Sequence, residues 1–169
     1  ASGDAGTLLR STDGISWSSV SSGVTTNLRG VSFGDGGFVV VGANSSSQGA
    51  TILKSTDGAA WADTSSSAGT SQGFFHVEYL NDRFLASGFH THLRSSLDNG
   101  DTFTNTGAGN LRIPAMAYGN GVYFGAGWDL GNSTADINRL STDGGTCSSL
   151  TTPTTVDRHA AVFFQNTFI

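Results

Sequence analysis

One short phrase occurs four times in this chain of 169 residues: Ser11-Thr12-Asp13-Gly14-Ile15-Ser16-Trp17, Ser55-Thr56-Asp57-Gly58-Ala59-Ala60-Trp61, Ser96-Leu97-Asp98-Asn99-Gly100-Asp101-Thr102-Phe103 and Ser141-Thr142-Asp143-Gly144-Gly145-Thr146-Cys147. Its aspartates stand 44, 41 and 45 residues apart. Self-similarity at such a period marks a repeat architecture, because each unit is one supersecondary motif that needs neighbours to bury its apolar face.

A second phrase alternates with the first. Val31 to Val40 recurs as Val77 to Ala86, as Met116 to Gly125, and last as Ala161 to Ile169. Each copy carries two aromatic residues five apart, with Gly, Asn or Asp in between. Apolar runs on either side of such residues predict two strands joined by a tight hairpin turn. The Asp phrase has the same form, since Leu8-Leu9-Arg10, Ile52-Leu53-Lys54 and His92-Leu93-Arg94 lead into a polar turn. Four antiparallel strands per repeat make the blade of a β-propeller. The expected fold is therefore all-β, a single propeller domain over residues 1–169. It comprises an outer hairpin at 7–17, repeats at about 28–61, 74–103 and 113–147, and a final inner hairpin at 158–169.

Three complete repeats thus lie between two halves. The final inner strands could pair with the first outer strands and close a four-bladed ring, hiding its edges. A second copy could supply the missing edge and build a larger ring. The chain could also continue as part of a longer propeller, and sequence symmetry does not choose among the three. In any of them Phe163, Phe164, Phe168 and Ile169 need a partner. The Gly/Ser/Thr-rich stretches at 18–26 and 65–73 read as connections between blades.

The Asp phrase resembles the Asp-box, Ser-x-Asp-x-Gly-x-Thr-Trp, of sialidases and many secreted propellers. Residues 96–103 follow its eight-residue spacing, and the other three copies are one residue shorter. Both phrases together are similar to secreted bacterial propeller repeats of the Asp-box (BNR-like) type, from Thr7 to Ile169. What this resemblance implies is structural: Asp13, Asp57, Asp98 and Asp143 would hold turns on the face away from the ligand site. Trp17, Trp61 and Phe103 would pack between blades, with Cys147 filling the fourth such slot.

Composition fits a secreted or cell-surface all-β domain. Only 12% of residues are charged, with one lysine (Lys54) and one glutamate (Glu78). A net charge of −5 with scattered arginines leaves no basic footprint for nucleic acid. No apolar run approaches the roughly 18 residues of a membrane span. Cys147, the single cysteine, has no internal disulfide partner.

Function is expected on the face opposite the Asp turns. Arg29, Arg112 and Arg158 precede the innermost strands by way of their loops, and strands converging on an axis could bring them together around a carboxylate or sulfate. Their offsets to the next aromatic residue are four, six and five, which places them on different faces. Arg112-Ile113-Pro114 also matches the Arg-Ile-Pro motif of sialidases. His159 adds a hydrogen-bond donor beside Arg158. Trp128 and Asp129, in a long loop between the second and third strands of blade three, pair a flat apolar face with an acceptor, as sugar sites do. His76, His90 and His92, with Glu78, are weak metal ligands lacking a fixed third partner. No cofactor is expected. These features favour a non-catalytic propeller recognising a glycan or other extracellular polymer. The alternatives are an assembly module completing a larger propeller or homo-oligomer, and a sialidase-like glycosidase fragment for which no carboxylate pair can be placed.

Overall fold

The computed structural model describes residues 1–44, 49–69, 72–88, 93–106, 111–129, 134–140, 147–150 and 160–169. The chain opens with a short 3-10 turn (Asp4–Gly6) and an outer hairpin, β1 (Leu8–Arg10) and β2 (Ser18–Val20). Blade one is β3 (Asn27–Gly34), β4 (Gly37–Ala43), β5 (Thr51–Ser55) and β6 (Ala62–Asp63). Blade two is β7 (Phe74–Leu80), β8 (Arg83–Gly88), β9 (Arg94–Ser96) and β10 (Thr104–Asn105). Blade three is β11 (Leu111–Gly119), β12 (Val122–Asp129), β13 (Thr134–Leu140) and β14 (Cys147–Leu150). A final hairpin, β15 (Phe163–Phe164) and β16 (Thr167–Phe168), ends the chain. Each blade is a four-stranded sheet in sequence order, and every pairing is antiparallel.

The inner hairpins turn where the sequence places Asp, Asn and Gly. Both central residues have positive φ in all four: Asp35-Gly36, Asn81-Asp82, Asn120-Gly121 and Gln165-Asn166. That is the two-residue geometry whose twist matches the strands it joins. The Ser18–Val20 part of the polar stretch at 18–26 is not a connection but the outermost strand β2. Its edge position asks little apolar surface of it, so composition alone misreads it.

Blade two is apolar on both faces because it is stacked between blades one and three, and blade one because it lies between blade two and the outer hairpin. Val39, Val41 and Ile52 face blade two with Phe74, Val77, Phe84, Ala86 and Phe103. Val40 and Leu53, one residue out of phase, face the outer hairpin with Leu8 and Leu28. Leu85, Leu93, Ile113, Met116 and Tyr123 fill the space between blades two and three. The continuous run Phe38-Val39-Val40-Val41 is thus a strand buried on both sides. Across these interfaces polar atoms tie neighbouring turns. The Tyr123 hydroxyl donates to Asn81 O at 2.9 Å, Asn99 Nδ2 donates to Asp35 O at 3.2 Å, and Lys54 pairs with Asp101.

The innermost strands approach one another through glycine. A Cβ on Gly34 would lie 1.9 Å from the Tyr79 ring, and one on Gly119 would lie 2.2 Å from the Phe163 ring. The final hairpin is therefore seated on blade three, and Phe124 stacks on Phe168 with ring centroids 5.2 Å apart. Closure of the chain on itself through its termini is not the observed arrangement. β1–β2 and β15–β16 are separate two-stranded sheets, and the inner edge of β1 bonds instead to Ala1 and Ser2.

Overpacking a blade interface costs about 1–3 kcal/mol. Gly34→Ala should therefore lower stability by about that amount in urea titrations, and a change within error would show that Tyr79 has room to move.

Candidate functional site

The hairpin turns and Asp turns share one end of the blades, as the Asn99–Asp35 bond shows. At the other end, the start of each innermost strand carries a β-bulge. The register slips between Leu28 and Gly30, between Phe74 and His76, and between Arg112 and Ala115. Counting back from Phe33, Tyr79 and Tyr118 makes Leu28, Phe74 and Ile113 equivalent, and all three are buried. Arg29, Phe75 and Pro114 then occupy the extra position. Proline suits it, since a bulge residue needs no N–H for the ladder. Opposite stand Gly42, Gly88 and Gly127. A Cβ on Gly42 or Gly127 would lie 2.2 or 2.0 Å from the carbonyl oxygen across the ladder.

This register separates the arginines. Arg29 and Arg112 lie inside β3 and β11 rather than in entry loops, and not at equivalent positions, because Arg112 matches Asn27. Arg29 makes a surface ion pair with Asp4 at 3.4 Å, which contributes about 0–1 kcal/mol. Arg112 instead borders a shallow cleft of about 110 Å³ between blades two and three, with Phe75, His76, Ser87 and Pro114. Ser87 Oγ donates to the Ile113 carbonyl across the floor. Arg-Ile-Pro is thus a bulge here: its isoleucine enters the core and its proline fills the extra position.

Trp128 and Asp129 are not in a loop. β12 runs through both, and the register pairs Trp128 with Arg112 and Asp129 with Leu111. The alternation continues to the strand end because β13 pairs on the other side, from Asp129–Thr134 to Phe124–Arg139. Two of the residues singled out from sequence, Arg112 and Trp128, are therefore register partners on adjacent strands, and Arg112 borders the cleft. Sequence reasoning missed Phe75 and His76 as their neighbours; the signal was the bulge, which no composition reveals. His76 Nε2 lies 3.4 Å from Glu78 Oε2, on one face of β7. Among the described residues no group of three or more His, Cys, Asp or Glu could hold a metal ion. Arg158, His159, His90, His92 and Asp143 lie outside the described residues.

At the opposite end each of the three described Asp turns closes on itself. Asp13 Oδ1 accepts from the Ile15 and Ser16 amides and from Ser11 Oγ, each at 2.8 Å, while Ser11 Oγ accepts from the Gly14 amide at 2.8 Å. Asp57 repeats the pattern with Ala59, Ala60 and Ser55. In the longer third copy, Asp98 reaches the Thr102 amide at 2.9 Å and the Thr102 hydroxyl at 2.5 Å. In the first two turns a single carboxylate oxygen accepts all three bonds. Phe103 is buried between blades one and two and Trp61 packs beside Leu53, whereas Trp17 stays half-exposed, its indole donating to Gly14 O at 3.3 Å.

These bonds favour the charged carboxylates. The Ser16 and Ile15 amides hold Asp13 far below the ordinary 3.8, and the Ala60 and Ala59 amides lower Asp57. Burial works against Asp98, but the hydroxyl and amide of Thr102 outweigh it. A depressed carboxyl stabilises the fold fully above the unfolded value and loses that contribution as pH falls through the folded one. Melting temperature should therefore decline below about pH 4, and Asp13→Asn with Asp57→Asn should flatten that decline while lowering stability at pH 7. An unchanged acid slope in the double variant would show that other carboxylates dominate.

No protein-family model matches the chain, and no curated protein matches it. Solved structures do. A YCF48 bound to D1 peptide superposes with a TM-score of 0.68 at 14% identity, covering 98% of this chain and 53% of that one. YCF48 from Cyanidioschyzon merolae gives 0.67 at 15% identity, covering 98% and 56%. The computationally designed Ika4 protein gives 0.60 at 12%, covering 85% and 83%. The chain thus spans about half the length of the YCF48 chains. YCF48 is a β-propeller, and the likeness extends to fold alone: this chain is an all-β, propeller-like array of antiparallel blades.

Proposed function

We propose that the chain is a non-catalytic, secreted or cell-surface propeller of the Asp-box kind that binds an extended polymer, a glycan first, at the bulged end of its blades. The observation that carries this reading is the register pairing of Arg112 with Trp128 beside the cleft of Phe75, His76 and Pro114. An aromatic residue and a guanidinium at paired positions bring together the two chemistries that an acidic sugar unit requires. A rigid sheet holds the two in place better than a loop would. A β-bulge sits at this rim in each of the three blades.

A peptide is the second reading, favoured by the likeness to a YCF48 bound to D1 peptide. The same guanidinium would then hold a carboxylate.

Hydrogen bonds to a charged group are worth about 1.5–3 kcal/mol, so losing one weakens binding by tenfold or more. On an array of neutral and acidic polysaccharides, retention should fall by about that factor in Arg112→Ala and in Trp128→Ala, with melting unchanged. Folded protein that no polysaccharide retains, or retention indifferent to both substitutions, would overturn the glycan reading. Retention restricted to acidic peptides would replace it with the second.

A further inference from the structure

Blade stacking gives each strand residue a direction, toward the blade before or the blade after. In β3, Ser32 and Gly34 face blade two: Ser32 Oγ accepts from the Tyr79 amide at 2.9 Å, and Gly34 receives the Tyr79 ring. Val31 and Phe33 therefore face backward. The equivalents of Val31 in blades two and three, Val77 and Met116, are 4% and 2% exposed, and those of Phe33, Tyr79 and Tyr118, are half-buried, because a blade stands behind them. Val31 is 44% and Phe33 57% exposed. The outer hairpin covers only the lower half of this face, through Leu8 and Leu28, leaving a cleft of about 290 Å³ lined by Leu8, Val20, Val31, Phe38 and Trp61.

The other end of the arc has the opposite deficit. Phe163 and Phe168 face back onto blade three, so Val162, Phe164 and Ile169 face forward, and all three are exposed, Phe164 at 67%. Phe164 holds the register position of Gly34, Leu80 and Gly119, the surface on which the next blade's inner aromatic rests; Leu80, packed with Tyr118 against one cluster, is a large apolar side chain serving there in place of glycine. Phe33 is such an aromatic without a surface. Trp17 repeats the deficit in the outer strands, where Trp61 and Phe103 each pack against the blade before.

We propose that the backward face of blade one receives the final hairpin of a second copy of this chain, Phe33 resting on the partner's Phe164, and that the exchange is reciprocal. The junction continues an interface the chain already builds at each blade boundary, and both faces are matched in register and in apolar character. The missing blade then has the strand order β15-β16-β1-β2, the same as β3-β4-β5-β6, with β16 taking the edge of β1 that Ala1 and Ser2 hold in the single chain. Three blades from each copy and one shared blade at each junction make a ring of eight.

Light scattering should give a particle of twice 17.4 kDa. Phe33→Asp and Phe164→Asp, both at surfaces exposed in the single chain, should each return it to one chain while keeping the β-sheet circular dichroism. In a Cys147→Ser background, differently tagged Phe33→Cys and Phe164→Cys chains should form a disulfide with each other on mixing. Wild-type protein at one-chain mass up to about 100 µM, the upper part of the range in which exposed apolar edges associate, would overturn the proposal. So would a two-chain mass that survives both aspartate substitutions, or a double-cysteine variant that cross-links within a single chain.

Discussion

A four-stranded sheet with two apolar faces is insoluble by itself, and covering both faces governs nearly everything in this chain. Val39, Val40 and Val41 are all fully buried, yet they serve two different interfaces, because successive strand residues point to opposite sides. Burying a side chain of this size is worth about 1.5–3 kcal/mol. The strands of an isolated blade could not collect that on either side. Stability therefore belongs to the boundaries between blades and is shared between neighbours.

Close packing at those boundaries explains the glycines that interrupt otherwise apolar strands. Gly34 and Gly119 admit an aromatic ring from the next blade, while Gly42 and Gly127 admit a carbonyl from the bulged strand of their own. The first pair sets how closely innermost strands converge. The second lets the bulge form without opening the ladder. Polar bridges such as Tyr123 to Asn81 sit at the hairpin end, where the inner turns of adjacent blades come within hydrogen-bonding reach.

Repeat number, strand order and the tight inner turns were legible in the sequence, because each depends on chemistry within a few residues. Asp13 bonds to residues two and three further on, and Asn120-Gly121 needs nothing beyond its own backbone preference. What depends on pairing partners was not legible. Trp128 reads as loop because glycines and polar residues follow it, but β13 extends β12 through it. The arginines differ in spacing already, but only the register shows why: the one-residue bulge falls on Arg29 in β3 and two residues after Arg112 in β11. Arg112 and Trp128 were both identified as candidates, for unrelated reasons; only the register shows that they are neighbours.

The self-contained bonding of the Asp turns has a kinetic meaning. Their hydrogen bonds span two to four residues, so an outer turn can form on the microsecond scale of an isolated hairpin, before any blade has a neighbour. The aromatic residue that follows, as at Trp61 and Phe103, then packs against the unit before it. An array assembled in this way carries low contact order within each unit, and pays loop-closure entropy only for the short links between them. A unit of this kind can be duplicated or lost in the gene with little disturbance to its neighbours' folding. Forty-odd residues bounded by such turns are a natural quantum for growth of the chain.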